Sequence, residues 1–391
     1  MARRLHVALM VETSLVYGRH LLRGIIRYLR SHQPWSVFFE LRELGALPPD
    51  WLKDWRGDGI ISRPTTPQLA ELLRKKKIPV VNLNDVHGDL GLPLIESDHE
   101  ALGRLAAEHL LERGFRHFGF CGFTGHAWSC RRNQGFRAAV NKAGWSAETY
   151  ESPWGGPKAH PWEQEQGQIG QWLRGLPRPV GILACNDMRG QHVLDACQRV
   201  NLGVPEEVAV IGVDDDVLLC ELCDPPLSSI IPNAERVGYE AAALLDRLMA
   251  GEKPQHKEWR IEPLGVTTRQ STDVLAIDDP HIAAAVRYIR EHACDGATVQ
   301  DVLQHVPMSR TILERRFRKY LGRSPQGEIR AVQLKRVKQL LAETDLRLDR
   351  IAELAGYEHP EYLSVVFKRE TSQTPGTYRR QAQAAEPGQK R

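Results

Sequence analysis

The chain has 391 residues, of which 42% are hydrophobic and 26% charged. This composition excludes a wholly disordered protein, because it provides enough apolar surface for folded cores, and the length suits two or three domains. The net charge of +3 conceals an asymmetry: residues 280–391 hold 20 Lys and Arg against 13 Asp and Glu, whereas residues 1–279 hold 32 against 36. A basic C-terminal module favours a nucleic-acid partner, since lysine and arginine displace the counterions condensed on phosphates. A basic helical surface without a partner is the alternative.

The seven cysteines are scattered and odd in number, unlike the disulfide framework of a secreted domain. Cys220 and Cys223 form a CxxC pair without a second pair at ligand spacing, so neither a metal site nor a redox site is predicted. Glu12 interrupts the first apolar run, which is too short for an export signal, and no stretch reaches the ~18 apolar residues of a membrane span. We therefore expect a cytoplasmic protein that does not associate with a membrane.

From the N-terminus, short β-branched runs alternate with amphipathic stretches, which is typical of a parallel sheet covered by helices on both faces. Strands are predicted at 5–11, 37–41, 59–61, 78–81, 118–123, 180–184 and 208–213. Helices are predicted at 18–30, 100–113 and 188–200, and from about residue 131.

Polar residues that directly follow these apolar runs are candidate ligand contacts, because ligands of such sheets bind beyond the carboxyl ends of the strands. The candidates are Glu40 after 37–39, Asn186 and Asp187 after 181–185, and Asp214, Asp215 and Asp216 after 210–213. Each of them could instead be a helix N-cap, since Asp and Asn accept backbone N–H bonds at that position.

Four segments resemble the ligand domain of LacI/GalR-type regulators: Ile211–Asp215, Pro225–Ile230, Gly238–Ala242 and Thr268–Thr272. The resemblance covers about residues 5–273 and implies a two-lobed α/β fold of the periplasmic-binding-protein type (type I), with a sugar in the cleft between the lobes. It also implies sugar contacts by Arg132 of the motif Arg132–Phe136, Asn186, Asp187 and Asp214. Such charged groups make strong hydrogen bonds to sugar hydroxyls, which both donate and accept.

After Asp278, Asp279 and Pro280 the pattern becomes helical throughout. A first helix-turn-helix is predicted from 299–306 and 309–322, whose second helix has an apolar face formed by Ile312, Leu313 and Phe317. Ser309 can cap this helix, and the residues expected to face a major groove are Ser309, Arg310, Thr311 and Arg315. Arginine matches the paired acceptors of guanine, and threonine can contact a thymine methyl or a phosphate.

A second helix-turn-helix is predicted from 348–357, where Gly356 permits a left-handed turn, and a reading helix that begins at Pro360. Its core residues are expected to be Tyr357, Leu363 and Phe367. The residues expected to face DNA are His359, Glu361 and Ser364, together with Lys368 and Arg369 for phosphate.

The segment 367–380 closely resembles the AraC/XylS signature, with Ser372 where a glycine is common. The resemblance covers about residues 282–381 and implies two helix-turn-helix units joined by a helix at about 327–342. The predicted domains are therefore a sugar-binding domain at 1–277 and a DNA-binding domain at 278–381, followed by a disordered tail at 382–391.

The fusion of these two domains is similar to that of xylose-operon activators, as are the runs Tyr17–Arg19 and Tyr288–Cys294. This resemblance implies D-xylose as the effector, Tyr17 and Glu40 as further sugar contacts, a homodimer, and RNA polymerase as a partner. Sugar binding would close the lobes and reposition the DNA readers. No catalytic residue, metal or cofactor is expected.

Two alternatives remain open at this point. The chain could be a regulator that responds to another sugar or metabolite, such as a purine, or to a partner protein. It could also be a metal-dependent hydrolase that uses Asp214, Asp215 and Asp216, although the sequence has no phosphate loop, nucleophile elbow or His/Cys ligand spacing.

Overall fold

The computed structural model describes residues 3–40, 50–63, 65–84, 89–155, 160–253, 256–273, 277 and 279–384. The chain forms two compact units, residues 1–274 and 275–391, so the division falls three residues before the predicted boundary. The first unit is α/β and the second is helical. Among the described residues, no helix combines the length and the apolarity that crossing a membrane requires.

The first unit contains twelve strands and eight helices within the described ranges. The strands are β1 (His6–Val11), β2 (Ser36–Phe39), β3 (Gly59–Arg63), β4 (Val80–Asn82), β5 (Leu94–Ser97), β6 (His117–Thr124), β7 (Ala147–Pro153), β8 (Val180–Ala184), β9 (Val208–Val213), β10 (Ser228–Ile231), β11 (Glu258–Ile261) and β12 (Gly265–Thr267). The helices are α1 (Val16–Ser31), α2 (Pro67–Lys76), α3 (His99–Glu112), α4 (Ala127–Lys142), α5 (Trp162–Gly175), α6 (Asp187–Arg199), α7 (Val217–Leu222) and α8 (Ala234–Met249).

These strands form two six-stranded sheets, one in each lobe. The order is β11-β5-β4-β3-β1-β2 in the first lobe and β12-β10-β9-β8-β6-β7 in the second. All pairs are parallel except β10 with β12. The chain passes between the lobes three times, from β5 to α3, from β10 to α8, and from β11 to β12. The predicted two-lobed α/β fold is thereby confirmed.

Each lobe has its own apolar core. In the first lobe, Val7 and Leu9 of β1 pack with Leu21 and Ile25 of α1 and with α8. The predicted apolar runs are found as strands within a few residues of their expected bounds. The elements that were not predicted are β5, β7, β10, β11, β12, α2, α5, α7 and α8, and α4 begins at Ala127 rather than near residue 131.

The second unit contains α9 (Pro280–His292), α10 (Val299–His305), α11 (Arg310–Leu321), α12 (Pro325–Glu343), α13 (Leu348–Leu354), α14 (Pro360–Thr371) and α15 (Pro375–Ala384). The pairs α10/α11 and α13/α14 are the two predicted helix-turn-helix units, and α12 is the predicted joining helix. Helix α15 includes residues 382–384 of the predicted tail, and 385–391 lie outside the described residues, as does Asp278.

Each helix-turn-helix has a separate core. Leu313 and Phe317 of α11 are buried in the first, and Ile312 is half-buried. Tyr357, Leu363 and Phe367 are buried in the second, as the sequence predicted. Gly356 has a φ of 72°, so the turn before α14 is the left-handed one that glycine permits.

Ser372 ends α14 in the left-handed region, with a φ of 60°, which costs a residue with a side chain about 1–2 kcal/mol. Gly322 takes the equivalent position after α11 at φ 69°. We expect Ser372→Gly to raise the free energy of unfolding of the second unit by about 0.5–1 kcal/mol, after allowance for the larger entropy of glycine in the unfolded chain.

Urea unfolding of the full chain tests this prediction with two probes. All nine tryptophans lie between residues 35 and 259, so their fluorescence reports the first unit, whereas far-UV circular dichroism reports both. Only the dichroism transition should change in Ser372→Gly. The reciprocal variant Gly322→Ser should be less stable, and an unchanged or lower midpoint for Ser372→Gly would contradict the prediction.

Candidate functional site

The carboxyl ends of β1, β3 and β5 bring a polar cluster together in the first lobe. Glu12 directly follows β1 and forms a buried ion pair with Arg63, the last residue of β3. The guanidinium of Arg63 lies 4.6 Å from the ring centre of Tyr17, and the Tyr17 hydroxyl is 2.8 Å from Oγ of Ser97, the last residue of β5. Tyr17 thus lies within the cluster and packs against Arg63, and its predicted contact with sugar stays a prediction.

The second lobe contributes a matching cluster built on α4. Arg132 is 4% exposed and donates to the backbone oxygen of Cys185, at the end of β8. Its Nη2 lies 3.5 Å from Oδ1 of Asp214, which directly follows β9, and its guanidinium lies 5.0 Å from the ring centre of Trp128. The structure therefore brings together the predicted residues Arg132 and Asp214, with an aromatic face beside them.

The two clusters are close enough to influence each other's ionisation. Burial raises the pKa of Asp214, and the positive charges of Arg132 in its own lobe and Arg63 in the other lobe lower it in part. Burial also raises the pKa of Glu12, against the lowering effect of Arg63 and with a small rise from Asp214. The cleft between the lobes is thus lined by charged groups of both signs.

Some buried polar atoms of this cleft have no protein partner within the described part of the chain: Oε2 of Glu12, Nε of Arg63 and Nε of Arg132. A buried polar atom without a hydrogen bond costs about 1–3 kcal/mol, so these atoms are best satisfied by a bound polar molecule. A ligand that both donates and accepts, as hydroxyl groups do, fits one carboxylate acceptor and two guanidinium donors.

The motif Arg132–Phe136 also has a packing reason. A Cβ on Gly135 would lie 2.0 Å from the backbone oxygen of Glu100 in α3, so only glycine permits this approach of α3 and α4. Phe136 is fully buried. The two residues anchor α4 and thereby place Arg132 at the cleft.

Asn186 and Asp187 are bonded largely within the protein. Asn186 is the N-cap of α6, because its Oδ1 accepts from the backbone N–H of Arg189 at 2.9 Å; this is the alternative interpretation that the sequence left open. Asp187 accepts from Ser229 Oγ at 2.5 Å and from the backbone N–H of Asp216 at 2.8 Å. Oδ2 of Asp187 therefore holds the loop that carries Asp214 directly, and Oδ1 holds it through Ser229 of β10, which accepts from the backbone N–H of Asp215 at 3.0 Å. The direct contact of Asp187 with sugar stays a prediction.

The three consecutive aspartates have three different roles. Asp214 belongs to the cleft cluster, whereas Asp215 accepts from Arg269 at 2.8 Å and from Thr267 at 2.9 Å. Asp216 is the N-cap of α7 and accepts from Leu219 N. Over the residues that the structure describes, no group of three His, Cys, Asp or Glu side chains is arranged to hold a metal ion.

Glu40 lies just beyond β2, the edge strand of the first sheet, and is exposed. Its Oε2 accepts from Nε1 of Trp51 at 3.1 Å, which associates it with the aromatic group of Phe38, Trp51 and Trp55. The hydrogen bond from Trp51 therefore does not connect Glu40 to either cleft cluster, and its predicted contact with sugar stays a prediction.

Glu12, Arg63 and Trp128 were not predicted from the sequence as residues of the site. Glu12 and Arg63 carry the same signal that identified Asp214, namely a charged residue at the end of an apolar run. Glu12 was considered only as an interruption of the first run. No sequence signal distinguishes Trp128 from a core tryptophan.

The predicted DNA-facing residues lie on or just before the two reading helices. Those exposed are Ser309, Arg310, Thr311, Arg315, His359, Glu361, Lys368 and Arg369. Arg310 pairs with Glu314 at 3.2 Å and Arg369 with Glu370 at 2.9 Å, both exposed contacts that are readily exchanged for phosphate.

Two serines differ from expectation. Ser309 occupies the N-cap position of α11 but makes no side-chain capping hydrogen bond, so the expected cap is wrong in that respect and the hydroxyl is available. Ser364 is half-buried and donates to the backbone oxygen of Pro360 at 3.0 Å, which makes it less suited to DNA than its exposed neighbours.

Comparison with known proteins covers both units. Family models match a XylR N-terminal domain at residues 6–89, a periplasmic binding protein-like domain at 107–272 and a helix-turn-helix domain at 302–381. The chain is 33% identical to the xylose operon regulatory protein of Escherichia coli strain K12 over 385 residues, 96% of this chain and 97% of that protein. The Haemophilus influenzae protein of the same name is 33% identical over 95% of this chain and 97% of its own length. The chain belongs to the xylose operon regulatory protein family.

A solved structure of a xylose-binding transcription activator, XylR, agrees with this membership: its TM-score is 0.82 at 31% identity, over 97% of this chain and 98% of that chain. A CelR–cellobiose complex, at 23% identity, shares only the fold, with a TM-score of 0.56 over 69% of this chain and 85% of that chain. Members of the xylose operon regulatory protein family are transcription regulators rather than enzymes, so this chain is one too, and the hydrolase alternative is excluded.

Proposed function

We propose that this chain activates transcription of xylose-utilisation genes when D-xylose binds between the lobes of its first unit. The observation that carries the proposal is the cleft itself, where Glu12 and Arg63 of one lobe face Arg132 and Asp214 of the other. Buried donors and acceptors from both lobes suit a small ligand with several hydroxyl groups, which would bridge the lobes and stabilise a closed arrangement. The names of the family members supply xylose as the specific sugar.

Trp128 supports a sugar over a more polar metabolite. Sugar sites combine a few placed polar groups with apolar and aromatic lining, and Trp128 offers an aromatic face beside Arg132. The C–H groups of a pyranose ring can pack on such a face while its hydroxyls bond to the charged groups. In this proposal, Tyr17 supports sugar binding by positioning Arg63, and Asp187 supports it by holding the loop that carries Asp214.

The second unit is proposed to bind duplex DNA through α11 and α14. Their exposed faces carry the basic residues described above, and this part of the chain holds the excess of positive charge. A homodimer would present four reading helices to a repeated or palindromic site. We further propose action in the cytoplasm, where the DNA is, and contact with RNA polymerase, as activation requires.

Isothermal titration calorimetry of the full-length protein tests the effector. D-xylose, L-arabinose, D-ribose and D-glucose should be titrated separately, and binding heat is expected from D-xylose alone. Binding heat from a different sugar would make that sugar the effector instead of D-xylose, and the cleft would still be the proposed binding site. Absence of binding heat from all four sugars would overturn the sugar proposal. The proposal of DNA binding by the second unit would not be affected by that result.

A further inference from the structure

The reading helices α11 and α14 are structurally equivalent, position by position. Each has twelve residues and ends in a left-handed residue. Residues 50 positions apart therefore correspond, including the buried pairs Leu313 and Phe317 in α11 and Leu363 and Phe367 in α14.

The outward faces of these helices differ in chemistry. At 3.6 residues per turn, the position midway between the buried leucine and phenylalanine points directly away from the core. This position is Arg315 in α11, but it is Val365 in α14, where 64% of the side chain is exposed. Tyr362, three residues before Val365, is 54% exposed. The second reader thus presents an apolar patch, Tyr362 and Val365. At the equivalent positions the first reader has the half-buried Ile312 and the exposed cation Arg315.

Packing among the described residues of the second unit explains Tyr362 only in part, since its ring centre lies 6.2 Å from that of the buried Tyr357, and it does not explain Val365. An exposed valine has a lower helix propensity than most polar residues, since its branched side chain loses χ1 freedom. The exposed residues that follow it, Lys368 and Arg369, are cationic. The exposed Glu361 lies on the N-terminal side of the patch, one turn before Val365. An apolar patch followed by cations, and replaced at Val365 by an arginine in the equivalent helix, complements the floor of a major groove between phosphates. The apolar group that a base pair presents in that groove is the C5 methyl of thymine.

We propose that α14 reads thymine through its C5 methyl, with Val365 and Tyr362 as the contacting side chains, whereas α11 reads guanine through Arg315. This inference rests on the proposed DNA binding by the second unit. It assigns different base preferences to the two DNA segments that one chain contacts: guanine in the segment bound by α11 and thymine in the segment bound by α14.

The test starts from selection of a bound sequence out of a pool of random 30-base-pair duplexes by the full-length protein, with and without D-xylose. In the selected duplex, each thymine is then replaced singly by uracil, which lacks only the methyl group. Loss of one buried methyl should weaken wild-type binding by about fourfold at one or two thymines. Val365→Ala should bind the thymine duplex more weakly and lose this sensitivity to uracil.

Two further variants make the test specific. Val365→Arg recreates the side chain of Arg315 and should shift the selected base from thymine to guanine at the same position. Leu264→Ala, which removes an exposed apolar side chain of the first unit, should select the wild-type sequence and keep its response to uracil. If wild-type protein selects a sequence but responds to no uracil, or if Val365→Arg selects the same bases, the thymine inference is overturned. If wild-type protein selects no sequence at all, the proposed DNA binding itself fails.

Discussion

Replacing Asp214 with asparagine is expected to weaken binding of D-xylose by about 10- to 150-fold, since a hydrogen bond to a charged group contributes about 1.5–3 kcal/mol. The carboxylate of Asp214 is the acidic group that the second lobe adds to the cleft cluster, 3.5 Å from Arg132. Asparagine keeps the shape of the side chain and removes the charge. Calorimetry with D-xylose measures the change in affinity.

Asp215→Asn, the same substitution at the neighbouring residue, provides the matched control. Asp215 bonds to Arg269 and Thr267 rather than facing the cleft, so Asp215→Asn should lower the free energy of unfolding and leave the affinity nearly unchanged. An equal loss of affinity in both variants would show that the loop, and not the Asp214 carboxylate, determines binding.

The stability of Asp214→Asn adds a second readout. Because burial raises the pKa of Asp214, the folded state favours its protonated form. The stability associated with that form is fully present below the ordinary aspartate pKa and is lost as the pH rises through the folded-state pKa. Asparagine does not titrate, so the variant should be at least as stable as wild type at neutral pH, with a flatter pH dependence. Urea unfolding followed by tryptophan fluorescence measures both.

The sequence predicted the fold well where one physical signal dominates. Buried parallel strands such as β8 and β9 are continuous apolar runs, and they were found as strands. The edge strand β7 was missed because it carries Glu148 and Glu151 and is largely exposed, so it lacks the apolar pattern of a buried strand. Short β5 was missed because its Glu96 and Ser97 are buried polar residues.

The candidate site was predicted less completely, because the same residue types have two local uses. An Asn or Asp after a strand can cap a helix or bind a ligand, and the sequence does not distinguish the two. In this chain Asn186 caps while Asp214 faces the cleft. The pairing of Glu12 with Arg63 joins residues 51 positions apart, a contact that depends on the order of strands in the sheet.

Replacing Arg189, whose side chain is 1% exposed, is expected to lower the free energy of unfolding more than any other substitution discussed above. Its guanidinium donates to Glu165 Oε1 at 2.6 Å and to the backbone oxygen of Gly122 at 3.0 Å, and it lies 4.0 Å from the ring centre of Phe123. Arg189→Met would remove this guanidinium from the buried carboxylate of Glu165, which keeps only its contacts with Ser152 at 2.6 Å and His160 at 2.9 Å. Loss of one partner of a buried ion pair costs about 3–5 kcal/mol, which urea unfolding followed by tryptophan fluorescence should detect.

A second arginine of α6 separates the buried ion pair from a general effect on the helix. Arg199 pairs with Glu163 and Asp195 at 41% exposure of its side chain, so Arg199→Met should lower the free energy of unfolding far less than Arg189→Met does, because water screens an exposed ion pair. Adding Glu165→Gln to Arg189→Met removes the uncompensated charge and should recover part of the lost stability. Equal losses in the two arginine variants, or no recovery in the double variant, would show that the buried ion pair of Arg189 with Glu165 is not what stabilises this lobe.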